Sequence, residues 1–403
     1  MKSKLSLALL TTLAFAPLAS ADTEFRITGS TAFRSAVHAG LLNSFFTAAP
    51  KYGHSNAGGA ISTASKSIWQ GSVTGIAGTT TVRCTWSGSA TGIQSVTAGS
   101  NVSFLTTAAI PASPGENPGQ SASENLTAHA AFSDVGQTST SFLTPPLDDT
   151  PVGVVVFSWV VNDTSATGAS VLARYGFDNV TAQAARALYT TGQQPKALFT
   201  GNPADEAKSV FATGRDTGSG TRITMLAETK YGIFTPLSQF QITAASDAVT
   251  DIQVWPTTGS GSDALPGNGG YSSGGTLTGL LASKSDTTFN LKNAAGALVR
   301  TVPSAHLISC VGVGDAVTVV NGGGARLKYE GVSYDSTADD DKVRYGHYTM
   351  WGYQHFLSGT IDGDQTAAKA ALVNAIDANV GVAGVQISTM AAARGEDGGI
   401  VGF

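Results

Sequence analysis

The amino-acid sequence predicts an α/β protein, because it contains both helix-like and strand-like segments and these alternate. Segments with apolar residues at helical spacing alternate along the chain with β-branched or aromatic segments of strand length. Such alternation is typical of helices layered on a sheet. The chain has 403 residues, of which 42% are hydrophobic, and is therefore long enough for two domains or one large one with a substantial core.

The predicted elements are distributed along the whole chain. Helical spacing predicts helices over 30–46, 179–192, 221–232 and 365–381, the last of which ends at a glycine. β-branched and aromatic runs predict strands over 79–86, 151–161, 305–314 and 344–356. We expect surface loops where Gly, Ser and Thr dominate without a clear period, over 47–78, 97–128 and 257–276.

Residues 1–21 have the pattern of a secretory signal peptide. Two lysines precede an apolar run, and a small-residue stretch ends at Ala21, where we expect cleavage. The apolar run is too short to span a bilayer, and no cysteine stands at the cleavage point to carry a lipid anchor. We therefore expect an exported protein without a membrane anchor, located in the periplasm or secreted.

Charge and cysteine content exclude some partners and leave one question open. The 23 basic and 28 acidic residues give a net charge of -5, so a basic surface that follows nucleic acid or an anionic membrane is not expected. Only Cys84 and Cys310 are present. In an oxidising compartment they form either one disulfide or two buried free thiols inside strands, and the sequence favours neither.

Four short loops that contain Gly, Ser or Thr form the candidate site. Each lies where a strand-like segment ends or a helical one begins, and they contain in turn Gly29, Ser30 and Thr31; Gly88, Ser89 and Thr91; Ser133 and Asp134; and Arg215, Asp216, Ser219 and Thr221. A helix start offers unpaired backbone N–H groups, glycine lets an anion approach, and hydroxyls add donors. A single loop of this kind is explained by an ordinary helix cap, whereas several with an arginine favour an anion site.

The donors in these loops suit a tetrahedral oxyanion. Arg215 supplies a bidentate pair of N–H groups, and the loops at 31–33 and 219–221 supply backbone N–H groups. Hydroxyl donors are available from Ser89, Ser133, Ser219 and Thr221.

A carboxylate in the same pocket distinguishes between oxyanions. Monohydrogen phosphate still has an O–H group to donate, whereas sulfate has none, so an aspartate admits the first and repels the second. Asp134 is the first candidate for this role and Asp216 the second.

Four sequence blocks resemble, in order, those of the periplasmic phosphate-binding proteins of ABC transporters, within the type II periplasmic-binding-protein fold. The blocks are GSTAFR with Thr31, Ala32 and Phe33; GSATG; FSDVGQTS followed by the hydrophobic VGVVVFSWVVND; and Arg215, Gly218, Ser219, Gly220 and Thr221. Thr217 stands where the family usually has an acidic residue, two positions after the arginine. The long Gly/Ser/Thr insertions have no counterpart in the family.

The resemblance implies a two-lobed α/β fold with the ligand in a cleft between the lobes, lobe one comprising 22–157 plus 343–403 and lobe two 158–342. It implies a monomeric binding protein, not an enzyme, that captures inorganic phosphate or a related oxyanion for an ABC permease in the inner membrane, without cofactor or metal. The ligand-binding residues that the resemblance and the loops together indicate are Thr31, Ala32, Phe33, Ser89, Thr91, Ser133, Asp134, Arg215, Asp216, Ser219, Gly220 and Thr221.

Two other function classes remain open from the sequence. A surface-associated adhesion or structural protein on the same scaffold would use the Gly/Ser/Thr loops as its working surface. A phosphoester-hydrolysing enzyme would use the same anion site, although the histidines lack zinc-ligand spacing and no activated nucleophile stands out. The acidic run 338–342 lacks the alternating oxygen ligands of a calcium loop, so we expect a solvated turn there.

Overall fold

The computed structural model describes residues 22–403 except for 165, 167, 169, 258–263, 285–287 and 304. The predicted signal peptide, 1–21, therefore lies outside the described residues, as does part of the loop predicted over 257–276. None of the described helices is both long and apolar enough to cross a membrane.

Strands and helices alternate along the chain, as the sequence predicts. The strands are β1 (Thr23–Gly29), β2 (Lys51–His54), β3 (Lys66–Gly71), β4 (Thr80–Trp86), β5 (Asn101–Leu105), β6 (Gly115–Asn117), β7 (Ser123–Thr127), β8 (Ala130–Ser133), β9 (Asp148–Val161), β10 (Asn179–Val180), β11 (Gln193–Pro195), β12 (Ser209–Ala212), β13 (Phe240–Ala245), β14 (Ala248–Val254), β15 (Phe289–Lys292), β16 (Leu298–Val302), β17 (Ala305–Gly312), β18 (Ala325–Tyr329), β19 (Trp351–Ser358) and β20 (Gly384–Val385). The α-helices are α1 (Arg34–Gly40), α2 (Ser89–Thr97), α3 (Val171–Tyr175), α4 (Ala182–Thr191), α5 (Ala197–Thr200), α6 (Gly220–Glu228), α7 (Gly274–Leu281), α8 (Val313–Asn321), α9 (Asp340–Arg344) and α10 (Gly363–Asp377).

One large mixed sheet runs through the molecule in the order β11-β12-β17-β9-β19-β8-β1-β4-β3-β2-β6. Its long strand β9 changes partner along its length. Residues 148–156 pair antiparallel with β19, and residues 157–161 pair antiparallel with β17. Strands β13 to β16 form a separate four-stranded sheet. Strand β9 therefore connects two halves of the molecule.

Each half is built on its own apolar clusters. Phe25 and Phe132 pack with Leu372 of α10 in the first half. Tyr189 and Leu327 belong to the main cluster of the second half, and a further cluster there joins the four-stranded sheet to α7 and α8. We call these halves the first lobe and the second lobe. The fold is mixed α/β and two-lobed, as predicted.

The structure corrects the predictions for three segments, 344–356, 47–78 and 97–128. Segment 344–356 is extended only from Trp351 onward, because α9 ends at Arg344 and Gly346 turns the chain with a φ of 72°. Segments 47–78 and 97–128 contain the strands β2, β3, β5, β6 and β7 instead of loops alone. Strands β5 and β7 form an isolated two-stranded sheet, and β7 is exposed along most of its length, so no apolar alternation marks it in the sequence.

The two cysteines are free and buried. Cys84 lies in β4 within the core of the first lobe, whereas Cys310 lies in β17 within the core of the second. Of the two alternatives that the sequence left open, the structure therefore has the pair of buried free thiols.

Candidate anion-binding site

Three loops of the first lobe meet where parallel strands end. Strand β1 pairs in parallel with both β4 and β8, and its last residue lies opposite Trp86 and Phe132. The residues that follow these strands are therefore brought to one edge of the sheet. Ser30, Ser89 and Asp134 lie there, and all three are buried.

Asp134 is the charged group at this edge. Its carboxylate accepts a hydrogen bond from the Ser30 hydroxyl, and its backbone N–H donates to Ser89 Oγ at 3.1 Å. Burial raises the pKa of Asp134 from 3.8 to about 6, against the lowering effects of the Ser30 hydrogen bond and of the nearby Arg215. The carboxyl group of Asp134 therefore keeps its proton up to a higher pH than an ordinary aspartate does.

The second lobe contributes a buried arginine just before α6. Arg215 is 4% exposed, and its guanidinium donates from Nε to Tyr271 O at 2.9 Å and from Nη2 to Ser272 O at 2.8 Å. Burial lowers the pKa of this arginine, and three nearby carboxylates, of which Asp134 is one, oppose that shift. The two carbonyl groups fix the plane of the guanidinium, so its charge has a defined position.

Helix α6 begins beside Asp134. Ser219 is the N-cap of this helix, and its Oγ accepts from the N–H of Arg222 at 3.5 Å. Gly220, the first helical residue, lies so close to the first lobe that a Cβ atom on it would be 2.8 Å from both Cβ and Oδ2 of Asp134. The N-terminus of α6, which carries the positive end of the helix dipole, therefore lies against the edge that holds Ser89 and Asp134.

The two lobes touch at this point. The N–H of Ala90 donates to Gly218 O at 3.0 Å, and Gly218 lies against the side chain of Thr91. The arginine, the carboxylate and the start of α6 are therefore held together across the lobe boundary. We call this group the cradle; it comprises Ser30, Ser89, Asp134, Arg215, Ser219 and Gly220.

Five of the residues predicted from the sequence belong to the cradle, namely Ser89, Asp134, Arg215, Ser219 and Gly220. Thr221 follows in the first turn of α6 and is buried. Ser133 engages its hydroxyl within its own loop, where Oγ donates to Val135 O at 2.6 Å.

The remaining predicted residues lie around the cradle. Thr31 and Ala32 line a cavity of about 480 Å³ between the lobes. Thr91 and Asp216 line a second interlobe cavity of about 580 Å³. Phe33 is fully buried in the core of the first lobe.

The sequence reasoning missed Arg34 and Asp315, two charged residues beside the cradle, and it placed Ser30 in a candidate loop without selecting it as a donor. Ser30 and Arg34 belong to the GSTAFR block, and Asp315 lies in the first turn of α8 directly after β17, the strand-to-helix arrangement that marks the other loops. Burial lowers the pKa of Arg34 and raises that of Asp315, and the attraction between the two opposes both shifts. Arg215 acts on both groups as well. A charged cluster therefore adjoins the cradle.

Metal binding has no support in the part of the chain that the structure describes, where no three His, Cys, Asp or Glu side chains are grouped to hold an ion. In the acidic run 338–342, Lys342 pairs with Asp339 at 2.8 Å, and Arg344 pairs with Asp341 at 3.0 Å. The charge of this run is therefore partly balanced by neighbouring cations.

Known proteins offer structural similarity only. No protein-family model matches the chain, and no curated protein matches it. The fold is similar to PstS from Borrelia burgdorferi, with 13% identity, coverage of 87% of this chain and 92% of that chain, and a TM-score of 0.37. An ABC-type phosphate transport receptor from Vibrio cholerae shares 12% identity over 87% of this chain and 93% of its own, with a TM-score of 0.42. A phosphate-binding protein from Stenotrophomonas maltophilia shares 14% identity over 74% and 75%, with a TM-score of 0.31.

Proposed function

We propose that the protein is an exported solute-binding protein that captures phosphate or a similar tetrahedral oxyanion between its two lobes. The observation that supports this proposal most directly is the cradle. In it, an arginine whose guanidinium is fixed by Tyr271 O and Ser272 O meets the buried Asp134 and the N-terminus of α6. Both lobes contribute, so an anion bound there links them.

The cradle offers several hydrogen-bond donors that together can replace the water molecules an anion loses on binding. A micromolar affinity corresponds to about -8 kcal/mol, and each charge-assisted hydrogen bond contributes about 1.5–3 kcal/mol, so several such bonds must act together. Arg215 offers charged donors, Ser89 offers a hydroxyl, and the first turn of α6 offers backbone N–H groups. The nearby Thr31 adds a hydroxyl from the first lobe.

Asp134 gives the site its preference among oxyanions. With a pKa of about 6 it is mostly ionised at neutral pH and accepts the O–H of monohydrogen phosphate. Sulfate has no proton to donate and meets only repulsion from the carboxylate. We therefore propose that the site selects phosphate over sulfate, and that arsenate, with the same shape and protonation, is accepted.

We also propose the lobe boundaries 22–157 plus 343–403 for lobe one and 158–342 for lobe two. The change of partner of β9 between residues 156 and 157 supports the first crossing. The return of the chain to the first lobe is supported by β19, which pairs with β8. Opening and closing of the cleft then bends β9 and the segment before β19.

Export and delivery complete the proposal. Residues 1–21 direct export, an ABC permease in the inner membrane receives the anion, and the binding protein acts as a monomer. Mass spectrometry of the exported protein tests the first of these statements, because cleavage after Ala21 leaves Asp22 at the N-terminus. An intact Met1 in the exported pool contradicts it.

Calorimetric titration of dialysed protein with inorganic phosphate tests the binding function. We expect the wild type to bind and Arg215→Ala to lose at least about 2 kcal/mol of binding free energy, about 30-fold in affinity, because the buried anion loses its bidentate partner. Arg300→Ala is the matched control, since Arg300 is an exposed arginine of β16, and it should bind like the wild type. A wild type that does not bind, or an Arg215→Ala variant that binds undiminished, overturns the proposal and favours a structural role.

A further inference from the structure

The interlobe cavity of about 480 Å³ next to the cradle is larger than an inorganic oxyanion requires. We call it the tail cavity. Cavities of about 300–1,000 Å³ are the size that encloses organic ligands. Its walls come from both lobes and include Thr31, Arg34 and Thr63 on one side and Ser273, Asp315 and Thr318 on the other.

The tail cavity adjoins the cradle, and charged groups lie at the junction. Thr31, which lines it, follows directly after Ser30, and Gly274 lies between Asp315 and the guanidinium of Arg215. A Cβ atom on Gly274 would be 3.5 Å from Arg215 Nη1 and would collide with the Asp315 carboxylate. A ligand group held by Arg215 is therefore within reach of Asp315.

The tail cavity is present although the two lobes are in contact with each other. The lobes are already in contact through the hydrogen bond of 3.0 Å from Ala90 N–H to Gly218 O and through Gly220 against Ser89. Val155 and Val156 of the connecting strand β9 form part of the cavity wall. The cavity is therefore open while the cradle is assembled.

The walls of the tail cavity are chemically suited to hydroxyl groups. Two of the three Gly/Ser/Thr-rich stretches, 47–78 and 257–276, supply hydroxyls from Thr63 on the first lobe and from Ser273 and Thr276 on the second. Asp315 is partly exposed to the cavity, and within the described residues no donor forms a hydrogen bond with its carboxylate. In a ligand with a neutral tail, a hydroxyl group is the donor best suited to form a hydrogen bond with this carboxylate.

The charges of the tail cavity oppose a charged tail. Arg34 and Asp315 carry opposite charges on facing lobes. Asp315 therefore repels a second anionic group on the ligand, and Arg34 and Arg215 repel a cationic group. A neutral tail with several hydroxyls forms hydrogen bonds with both side chains and meets neither repulsion.

We propose that the physiological ligand is a phosphomonoester of a polyhydroxylated molecule, a sugar or polyol phosphate. Its phosphate group occupies the cradle as the monoanion, whose remaining O–H donates to Asp134, and its hydroxylated tail occupies the tail cavity against Asp315. The second ionisation of a phosphomonoester has a pKa of about 6, so this form is available close to neutral pH. This inference rests on the proposed function, because it uses the same anion site and adds the class of molecule that carries the anion.

Calorimetry with three probes tests the inference: inorganic phosphate, methyl phosphate and glucose 6-phosphate. Methyl phosphate matches the charge of the sugar phosphate and has no hydroxylated tail. We expect glucose 6-phosphate to bind at least ten-fold more tightly than methyl phosphate. Equal or weaker binding of the sugar phosphate, together with phosphate binding that Arg215→Ala weakens about 30-fold or more, overturns the inference and leaves the proposed function standing. Failure of the wild type to bind any probe overturns the proposed function itself.

Variants of the tail cavity provide the second part of the test. Asp315→Asn should weaken glucose 6-phosphate at least ten-fold without weakening inorganic phosphate, because loss of a negative charge near Arg215 does not oppose an anion. Thr318→Val, on the exposed face of α8, removes one hydroxyl at nearly constant shape and should weaken only the sugar phosphate, about three-fold or more. Glu206→Gln, an exposed carboxylate outside the cavity, is the control and should change neither affinity. An unchanged ratio of the two affinities in Asp315→Asn and Thr318→Val, both verified as folded by circular dichroism, overturns the inference.

Discussion

At the scale of single residues, the proposed function assigns to Asp134 the choice between phosphate and sulfate. In Asp134→Asn the side chain has the same shape and no negative charge, so the repulsion of sulfate disappears together with the charged acceptor for the phosphate O–H. We expect the ratio of phosphate to sulfate affinity to narrow by more than phosphate affinity itself falls. Calorimetry with each anion at fixed ionic strength measures both quantities. A ratio that stays at the wild-type value shows that Asp134 does not face the anion.

The same residue also links stability to pH. The folded pKa of Asp134, about 6, lies above the ordinary 3.8, so the folded protein holds this proton more tightly than the unfolded chain. The contribution of Asp134 to stability is therefore full below about pH 4 and is lost as the pH rises through 6. Asp134→Asn should raise the free energy of unfolding at pH 7.5 by about 1–3 kcal/mol, and the gain should vanish near pH 4. Urea unfolding at both pH values checks this, with the exposed Asp247→Asn as the control substitution.

The serines show which features of the candidate site were predictable from the sequence at the scale of single residues. The residue types of the site were predictable, because hydroxyls, glycines and an arginine near helix starts favour anions. Which hydroxyl faces the cradle was not. Ser30, which was not among the predicted hydroxyl donors, donates to Asp134, whereas the hydroxyl of Ser133, which was, donates to Val135 O within its loop. The direction of a side chain at a strand end depends on the turn that follows, and this turn is determined by packing that no local pattern records.

At the scale of elements, the start of α6 depends on the absence of a side chain at Gly220. In Gly220→Ala the new Cβ atom would lie 2.8 Å from Asp134 Cβ and Oδ2, so the helix or the loop must shift. We expect a loss of about 1–3 kcal/mol in the free energy of unfolding and a loss of phosphate binding. The matched control is Gly363→Ala at the first position of α10, where nothing lies within 4 Å of the added atom. That variant should gain about 0.5–1 kcal/mol. Equal effects of the two substitutions contradict the close contact.

The elements that the sequence predicted well are those with strong local signals. Helix α10 has a capping box of Asp362 and Gln365, and α6 has Ser219 as its N-cap. The strands β5 and β7 have no such signal, since they pair with each other in a sheet of their own and β7 is largely polar and exposed. Their existence follows from long-range pairing, which a local reading of the sequence does not detect.

At the scale of the whole molecule, the cradle combines groups from distant parts of the chain. The two lobes were predictable from the order of the motifs and the resemblance that they carry. The position of Asp315 beside Arg215 and Arg34 was not, because it depends on how the second lobe folds back onto the first. The partner change of β9 from β19 to β17 is the feature that brings the lobes together, and a hydrophobic run of residues does not reveal it.

The two buried thiols make the coupling of the lobes measurable. Cys84 reports on the core of the first lobe and Cys310 on that of the second, and burial raises the pKa of both, that of Cys84 to about 12. Each thiol therefore reacts with a thiol reagent only after its lobe opens. In Cys310→Ser and Cys84→Ser, which leave one thiol each, phosphate at about 100 times its Kd should slow the reaction about 100-fold, because opening either lobe destroys the site.

The same measurement at the same phosphate concentration in an Arg215→Ala background should slow either thiol no more than about four-fold, since binding there is at least about 30-fold weaker. Slowing of both thiols in the presence of Arg215 requires that the anion be held by both lobes at once, as the contact of Gly220 with Ser89 and Asp134 indicates. Protection confined to Cys84 or to Cys310 means that one lobe binds the anion alone. In that case the contact between the lobes is not part of the binding site, and the interlobe position proposed for the ligand is wrong.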